Sequence, residues 1–318
     1  MENENTLRRL GHSDLWVSSV GFGCWPIAGI SSLEVTDDWS LKTLHAAFDA
    51  GINFFDTAYS YGYNGEADSL LKLALSGQRS QIILASKVGS HYDSQRRRTI
   101  DGQPATLLKQ VAEILQRLNV EHLDLLYLHQ PDPNVPIEDS AGAIAEIVQR
   151  GWTRYAAVSN VNADQLTRFH EVCPVIAVQN PYNMLQQSDW LAIRDYCQQQ
   201  SIGSVCFWVL MKGLLAGKLQ RDHQFDPRDR RLTYEIYQGE HWQRSQNFLD
   251  HLRSLAIELE CTVSQLVIAW TLAQEGITVA LCGAKRPDQI EETAAAMHLI
   301  LSSDVLQQID HWIQTASV

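Results

Sequence analysis

Eight times along this chain a short β-branched or aromatic run precedes a stretch with helical spacing, and that alternation constrains the fold more than any other feature. The runs read WVSSVGFG from Trp16, INFFDTA from Ile52, QIILASKVG from Gln81 and LDLLYLH from Leu123, then RYAAVSN, VIAVQN, GSVCFWVL and ITVALCGA. The stretches LKTLHAAFDAG and EADSLLKLALSG stop at Gly51 and Gly77, a residue type that ends helices by turning left-handed. In LLKQVAEILQRLN, Leu108, Val111, Leu115 and Leu118 recur every three or four residues and form one apolar stripe. AGAIAEIVQRG, ADQLTRFHEV, DWLAIRDYCQQQ and PDQIEETAAAM continue the pattern. Strands so continuously apolar are covered on both faces, which favours a parallel sheet. Eight units favour its closure into an α/β (β/α)8 barrel, the TIM-barrel architecture, with residues 1–318 as a single domain. An open doubly wound sheet is the weaker reading, because GFGCWP supplies no GxGxxG after the first strand. Two stretches break the rhythm. Residues 219–245 are charged and aromatic without a period and read as a long loop after strand seven, a candidate lid. SSDVLQQIDHWIQT reads as an extra C-terminal helix with Ser303 as its cap.

The formal charge of −12 repels phosphate backbones and anionic lipid, so neither nucleic acid nor membrane is an expected partner. The densest apolar stretches, such as Phe207 to Met211, are far too short to span a bilayer. The N-terminal MENENTLRRLGH lacks the apolar segment of a signal peptide, and the six cysteines form no CxxC pair. A reducing cytoplasm is therefore the expected compartment. Nothing specifies an oligomer, and a monomer is compatible with the sequence.

In a (β/α)8 barrel the chemistry sits at the C-terminal ends of the strands. Reading those ends in order gives Asp56, Lys87, His129, Ser159 with Asn160, and Gln179 with Asn180. Singly, each has an ordinary explanation: Asp56 as a turn cap, Lys87 as a solvated loop residue, His129 as a core histidine. A carboxylate, an ammonium and an imidazole on three successive strand ends are together the mark of a functional cluster. A lysine buried beside an aspartate forms an ion pair, and a tyrosine next to that lysine becomes a stronger acid, able to protonate a carbonyl oxygen. Tyr59, Tyr61 and Tyr63 all follow strand two, and any of them could serve. No metal is expected, since the chain has no HxH or HExxH.

These segments resemble the aldo-keto reductase family over nearly the whole chain. FFDTAYSYGYNGEADSLL is similar to the family signature in which the tyrosine lies five residues after the aspartate, which implies Tyr61 rather than its neighbours. ILASKVG resembles the strand of the catalytic lysine, Lys87, and LDLLYLHQPDP that of the catalytic histidine, His129. AVSN looks like the family's GVSN and VQNPYN like its VQxxYN, implying that Ser159, Asn160 and Gln179 hold the nicotinamide carboxamide. After the first strand, Gly23, Cys24 and Trp25 are implied cofactor contacts. Phe207, Trp208 and Leu210 occupy FWVL, where many relatives read YSPL; Phe207 keeps the aromatic stacking on the nicotinamide. Gly213, Leu215, Gly217 and Lys218 lie in GLLAGKL, similar to the family's GLLTGK loop. Gly283, Ala284, Lys285, Gln289, Glu292 and Thr293 lie in CGAKRPDQIEET, which resembles the segment gripping the adenosine phosphate. Thr293 stands where asparagine is usual, and Gln289 where some relatives carry arginine.

The resemblance implies an oxidoreductase that reduces aldehydes or ketones to alcohols by hydride transfer from NADPH. Tyr61 is then the proton donor, Lys87 with Asp56 lowers its pKa, and His129 holds the carbonyl. Lys285 and Arg286 imply a preference for NADPH over NADH through the 2′-phosphate. The alternative is an NADPH-binding, redox-sensing regulatory subunit of the same fold. An aldolase with a Schiff base on Lys87 is disfavoured by Asp56, Tyr61 and the cofactor segments.

Overall fold

The structure, a computed structural model, describes residues 6–30 and 33–315. Residues 1–5 of the N-terminal segment, residues 31–32 and residues 316–318 lie outside them. The described chain opens with an antiparallel hairpin, β1 (Leu7–Arg9) and β2 (Trp16–Ser18), followed by β3 (Val20–Gly23), β4 (Phe54–Asp56) and β5 (Ile83–Val88). A second hairpin comes next, β6 (Ser90–Tyr92) and β7 (Arg98–Ile100). Then come β8 (Leu123–Leu128), β9 (Thr153–Ser159), β10 (Val175–Pro181), β11 (Gly203–Phe207) and β12 (Ile277–Cys282). Strands β3, β4, β5 and β8 to β12 close into one parallel barrel, β12 pairing back onto β3 through Ala280, Leu281 and Cys282. This is the expected α/β (β/α)8 architecture, with Ser303–Thr315 as its extra C-terminal helix.

Alternation along each strand explains why the runs are apolar throughout. Phe54, Ala85, Leu125, Tyr127, Ala157, Val205 and Val279 fill the barrel interior. Their chain neighbours Phe55, Leu84, Leu126 and Val158 face outward into the shell of helices.

The first run does not form one strand. It divides at Ser19 into β2 and β3, and the β1–β2 hairpin carries Leu10, Leu15 and Val17 into the interior cluster as a plug. Gly11 permits this contact: its φ is +58°, and a Cβ there would lie 2.1 Å from the carbonyl oxygen of Ile176. Gly11→Ala is expected to lower stability by at least about 2 kcal/mol, measurable as a reduced denaturation midpoint.

Several helices begin earlier than the periodicity indicates. Asp37–Asp49 starts at Thr36, whose hydroxyl accepts from the Trp39 amide at 3.3 Å, and Pro104–Leu118 opens on a proline. In the latter the buried stripe is Leu107, Val111, Ile114 and Leu118, while Leu108 and Leu115 lie half-buried at its margin. Adjacent apolar pairs at 107–108 and 114–115 allow two phases, and packing selects the first. DWLAIRDYCQQQ breaks into Ser188–Leu191 and Arg194–Gln199. The 219–245 loop is shorter than expected, because the helix Gly239–Glu258 takes its last seven residues. A further helix, Val263–Ala273, is set by a reciprocal cap in which Thr262 and Gln265 each accept from the other's amide. Ser302, not Ser303, caps the last helix, accepting from the Val305 amide at 3.3 Å. Among the described residues, no single helix is long and apolar enough to cross a membrane.

Candidate active site

Asp56 and Lys87 stand on the neighbouring strands β4 and β5, and both are sealed from solvent. The Lys87 ammonium pairs with the Asp56 carboxylate and donates to the carbonyl oxygen of Thr57 at 3.1 Å. It also donates to the Tyr61 hydroxyl oxygen at 3.3 Å. Gln179 holds the other Asp56 oxygen through Nε2 at 2.9 Å, so its amide nitrogen is committed to the ion pair.

The three tyrosines after β4 separate cleanly. The Tyr59 hydroxyl donates to Glu113 at 2.6 Å and its ring lies under Arg117, while Tyr63 is exposed against Tyr92. Tyr61 alone turns back over the strand ends, its ring 5.3 Å from Trp25 and 6.0 Å from His129. Gly62 follows at φ +117°, where a Cβ would meet Glu66 Oε2 at 2.0 Å.

Burial dominates the electrostatics. It raises the Tyr61 pKa above its ordinary value; Lys87 pulls it back and Asp56 pushes it up. The expected lowering by Lys87 is therefore present but outweighed, and the phenol is protonated at neutral pH. Burial also pulls Lys87 down, yet Asp56 and Tyr61 more than offset this, and its net pKa is raised. Burial pushes Asp56 up against the pull of Lys87 and Gln179. His129 is held well below its usual pKa by burial and by the cations Lys87 and Arg98, so the imidazole is neutral. Its Nε2 lies 3.1 Å from Arg98 Nη2, its Nδ1 has no partner, and its carbonyl oxygen accepts from Asn160 Nδ2 at 2.9 Å.

Around the remaining strand ends lie the other sequence-derived positions. Ser159 is buried at the end of β9, and its Oγ accepts from Asn160 Nδ2 at 3.0 Å. Gly23 ends β3 opposite Asp56. Phe207 ends β11 and packs edge-on against the exposed Trp208. Between Trp208 and Gly217 the chain makes a strained turn: Trp208, Met211 and Lys212 have φ of 56°, 43° and 56°, and Gly213 and Gly217 of 96° and 70°. The side chains of Cys24, Leu215, Ala284 and Thr293 are buried in the core, leaving only their main chain for a ligand. Thr293 turns its hydroxyl back to the carbonyls of Gln289 and Ile290, both at 3.2 Å. Lys218 pairs with Glu292, and Gln289 Oε1 accepts from the Lys285 amide at 2.9 Å. Gly283 sits against Pro26. Arg286 is not paired with Lys285 as a two-cation grip; it is exposed and bonded to Asp288 at 3.0 Å.

The segment after Gly217 is stapled down. Phe225, Tyr237 and Trp242 form an aromatic cluster with centroids 5.5 to 6.0 Å apart. The Lys212 ammonium lies between the rings of Trp208 and Tyr234, at 4.2 and 3.4 Å. Tyr237 donates its hydroxyl to the Lys212 carbonyl at 3.1 Å. The pair Asp229–Arg231 lies beside Lys285, whose pKa is lowered by burial and by Arg231.

A barrel whose strand ends gather this tetrad of side chains matches the sequence profile of the aldo/keto reductase family over residues 19–314. The chain belongs to that family, and so to the oxidoreductases that act on small-molecule carbonyl compounds. It is 30% identical to aldo-keto reductase YhdN of Bacillus subtilis (strain 168), over 92% of this chain and 89% of the relative. It is 31% identical to aldo-keto reductase str7 of Strobilurus tenacellus, over 93% and 88% of the two chains. Among solved structures, a glycerol dehydrogenase from Gluconobacter oxydans superposes with a TM-score of 0.91 at 29% identity, covering 99% of this chain and 97% of the other. An aldo-keto reductase from Bacillus halodurans in its holo form has a TM-score of 0.79 at 24% identity, a likeness of fold, covering 96% of each.

Sequence reasoning missed Arg98 at His129 and Arg231 at Lys285. The signal for Arg98 was there: three consecutive arginines, Arg96 to Arg98, shortly after the Lys87 strand in an acidic chain.

Proposed function

We propose that the protein reduces aldehydes and ketones to alcohols with NADPH, using Tyr61 as the proton donor. The observation that carries this reading is the Tyr61 hydroxyl: its oxygen accepts from Lys87, so its own hydrogen is left to be given to a ligand. When bound, NADPH supplies the hydride. Tyr61 gives its proton to the forming alkoxide, and Lys87, held by Asp56, stabilises the resulting phenolate. The neutral His129 shapes the corner that receives the carbonyl oxygen, and the Tyr61 hydroxyl supplies the hydrogen bond that meets its developing negative charge.

Residues beyond the strand ends fit such a cofactor. Glu292 Oε1 is a buried acceptor with no partner, suited to an adenine amino group. Gly213 and Gly217 take positive φ, where main chain can approach a pyrophosphate closely. Burial and neighbouring Arg231 disfavour the charge on Lys285, and a 2′-phosphate would relieve that. Lys285, rather than Arg286, is accordingly the phosphate ligand in this reading. Lys285→Ala should weaken NADPH binding about tenfold and barely change NADH, whereas Arg286→Ala, released from Asp288, should do less. Titration calorimetry with both cofactors measures this, and equal losses for NADPH and NADH in Lys285→Ala would refute it. All six cysteines are free, which fits a reducing compartment such as the cytoplasm. The function itself is tested by initial rates of NADPH oxidation with benzaldehyde. Cofactor-dependent formation of benzyl alcohol is expected, and NADPH binding without turnover of any carbonyl compound would favour a regulatory role.

A further inference from the structure

We infer that Arg98 is a substrate-recognising residue that selects carbonyl compounds carrying a carboxylate on the carbon next to the carbonyl, the 2-oxo acids. The inference rests on the reductase reading above and concerns the corner beside His129. Strand β5, which carries Lys87, runs through Gly89 at φ +94° into the β6–β7 hairpin, where Arg98 lies opposite Tyr92 near the turn and its side chain reaches back to the strand ends. There its Nε donates to Ser90 Oγ at 2.8 Å, and its Nη2 lies 3.1 Å from His129 Nε2.

A guanidinium is only a donor, so His129 Nε2 must accept, and the ring proton sits on Nδ1. Nδ1 is buried and has no partner, so in this arrangement the imidazole has no N–H free to meet a carbonyl at Nε2. The donor at the corner is Arg98 itself. It is also close enough to Tyr61 to favour the phenolate.

Arg98 also lacks the carboxylate partner that Arg97 has. Arg97 pairs with Asp93 at 2.8 Å, and Arg96 lies over the Tyr63 ring at 4.5 Å. Neither bond of Arg98 goes to a carboxylate, and among the described residues no carboxylate is paired with it. Arg98 is solvent-exposed, so an incoming ligand can reach it, and in a chain of net charge −12 an unpaired arginine at the catalytic corner attracts an acidic one. Among the described residues Nη1 and the second hydrogen of Nη2 take no part in a hydrogen bond, and a guanidinium edge matches a carboxylate with two parallel bonds. The acid group that fits is one beside the reacting carbonyl, because the guanidinium already touches the imidazole next to Tyr61.

The test compares benzoylformate with its methyl ester, which keeps the carbonyl and removes the charge. The quantity read is the ratio of kcat/KM for acid over ester within each protein, so a general loss of activity cancels. The wild type should favour the acid, and Arg98→Met should lower the ratio by about 10- to 100-fold, the worth of a charge-assisted hydrogen bond. Arg98→Lys, which keeps the charge without the fork, should lower it less. An unchanged ratio in Arg98→Met, or a wild type that favours the ester, would overturn the proposal. If neither compound is turned over, the reductase reading fails separately. Calorimetry of mandelate against protein saturated with NADP+ then decides: weaker binding to Arg98→Met supports anion recognition, and equal binding contradicts it.

Discussion

Replacing Tyr61 with phenylalanine should lower turnover by roughly 100-fold or more while leaving NADPH affinity within about twofold of wild type. The substitution removes one oxygen atom. That oxygen accepts from Lys87 at 3.3 Å, and its hydrogen is the one free to be transferred. The ring itself stays, so its packing between Trp25 and His129 survives. Burial keeps the phenol protonated, so the wild-type rate should hold through neutral pH instead of falling there. Tyr59 and Tyr63 provide the control. One is tied to Glu113 and the other lies against Tyr92, so Tyr59→Phe and Tyr63→Phe should keep most of the activity. Single-turnover rates with benzaldehyde, together with cofactor titrations, separate the chemical step from binding. Near-wild-type turnover in Tyr61→Phe would refute the assignment.

Lys87→Met should abolish turnover and also destabilise the fold by about 3–5 kcal/mol. The two effects have one origin. Asp56 is fully buried, and its charge is balanced by the Lys87 ammonium with help from Gln179. Without the ammonium, a carboxylate is left in the barrel interior with one amide for company, and it must either stay charged at high cost or take up a proton. Asp56→Asn strands the lysine in the same way. The double substitution should therefore be less destabilised than the sum of the singles. Denaturant titrations of the four proteins read the coupling directly. Strictly additive losses, or a stable and active Lys87→Met, would show that the pair does not act as a unit.

The barrel was legible because its strands are apolar on both faces: Phe54 with Phe55 and Leu125 with Leu126 each send one side chain inward and one outward. The site was legible in part for a related reason, since strand order alone brings Asp56, Lys87 and His129 to one rim. Choosing Tyr61 among three tyrosines was beyond periodicity; it took the family spacing, and the geometry separates the three through partners distant in sequence. The two hairpins escaped notice because their three-residue strands are too short to show alternation, and one of them carries Arg98. The 219–245 segment looked irregular because its order comes from contacts between rings, Phe225 with Tyr237 and Trp242, that have no period. The two adjacent cations at 285–286 looked alike in sequence, yet only a fold that sets Asp288 beside Arg286 and Arg231 beside Lys285 distinguishes them.

The most direct test follows a label rather than a rate. NADPH carrying deuterium at the transferable position of nicotinamide C4 is incubated with the wild-type protein and benzaldehyde, and the alcohol is analysed by mass spectrometry. Benzyl alcohol with one deuterium on its carbinol carbon is expected from the wild type and only in trace from Tyr61→Phe. Unlabelled alcohol, or none at all from a wild-type protein that binds NADPH, would contradict direct hydride transfer at this site.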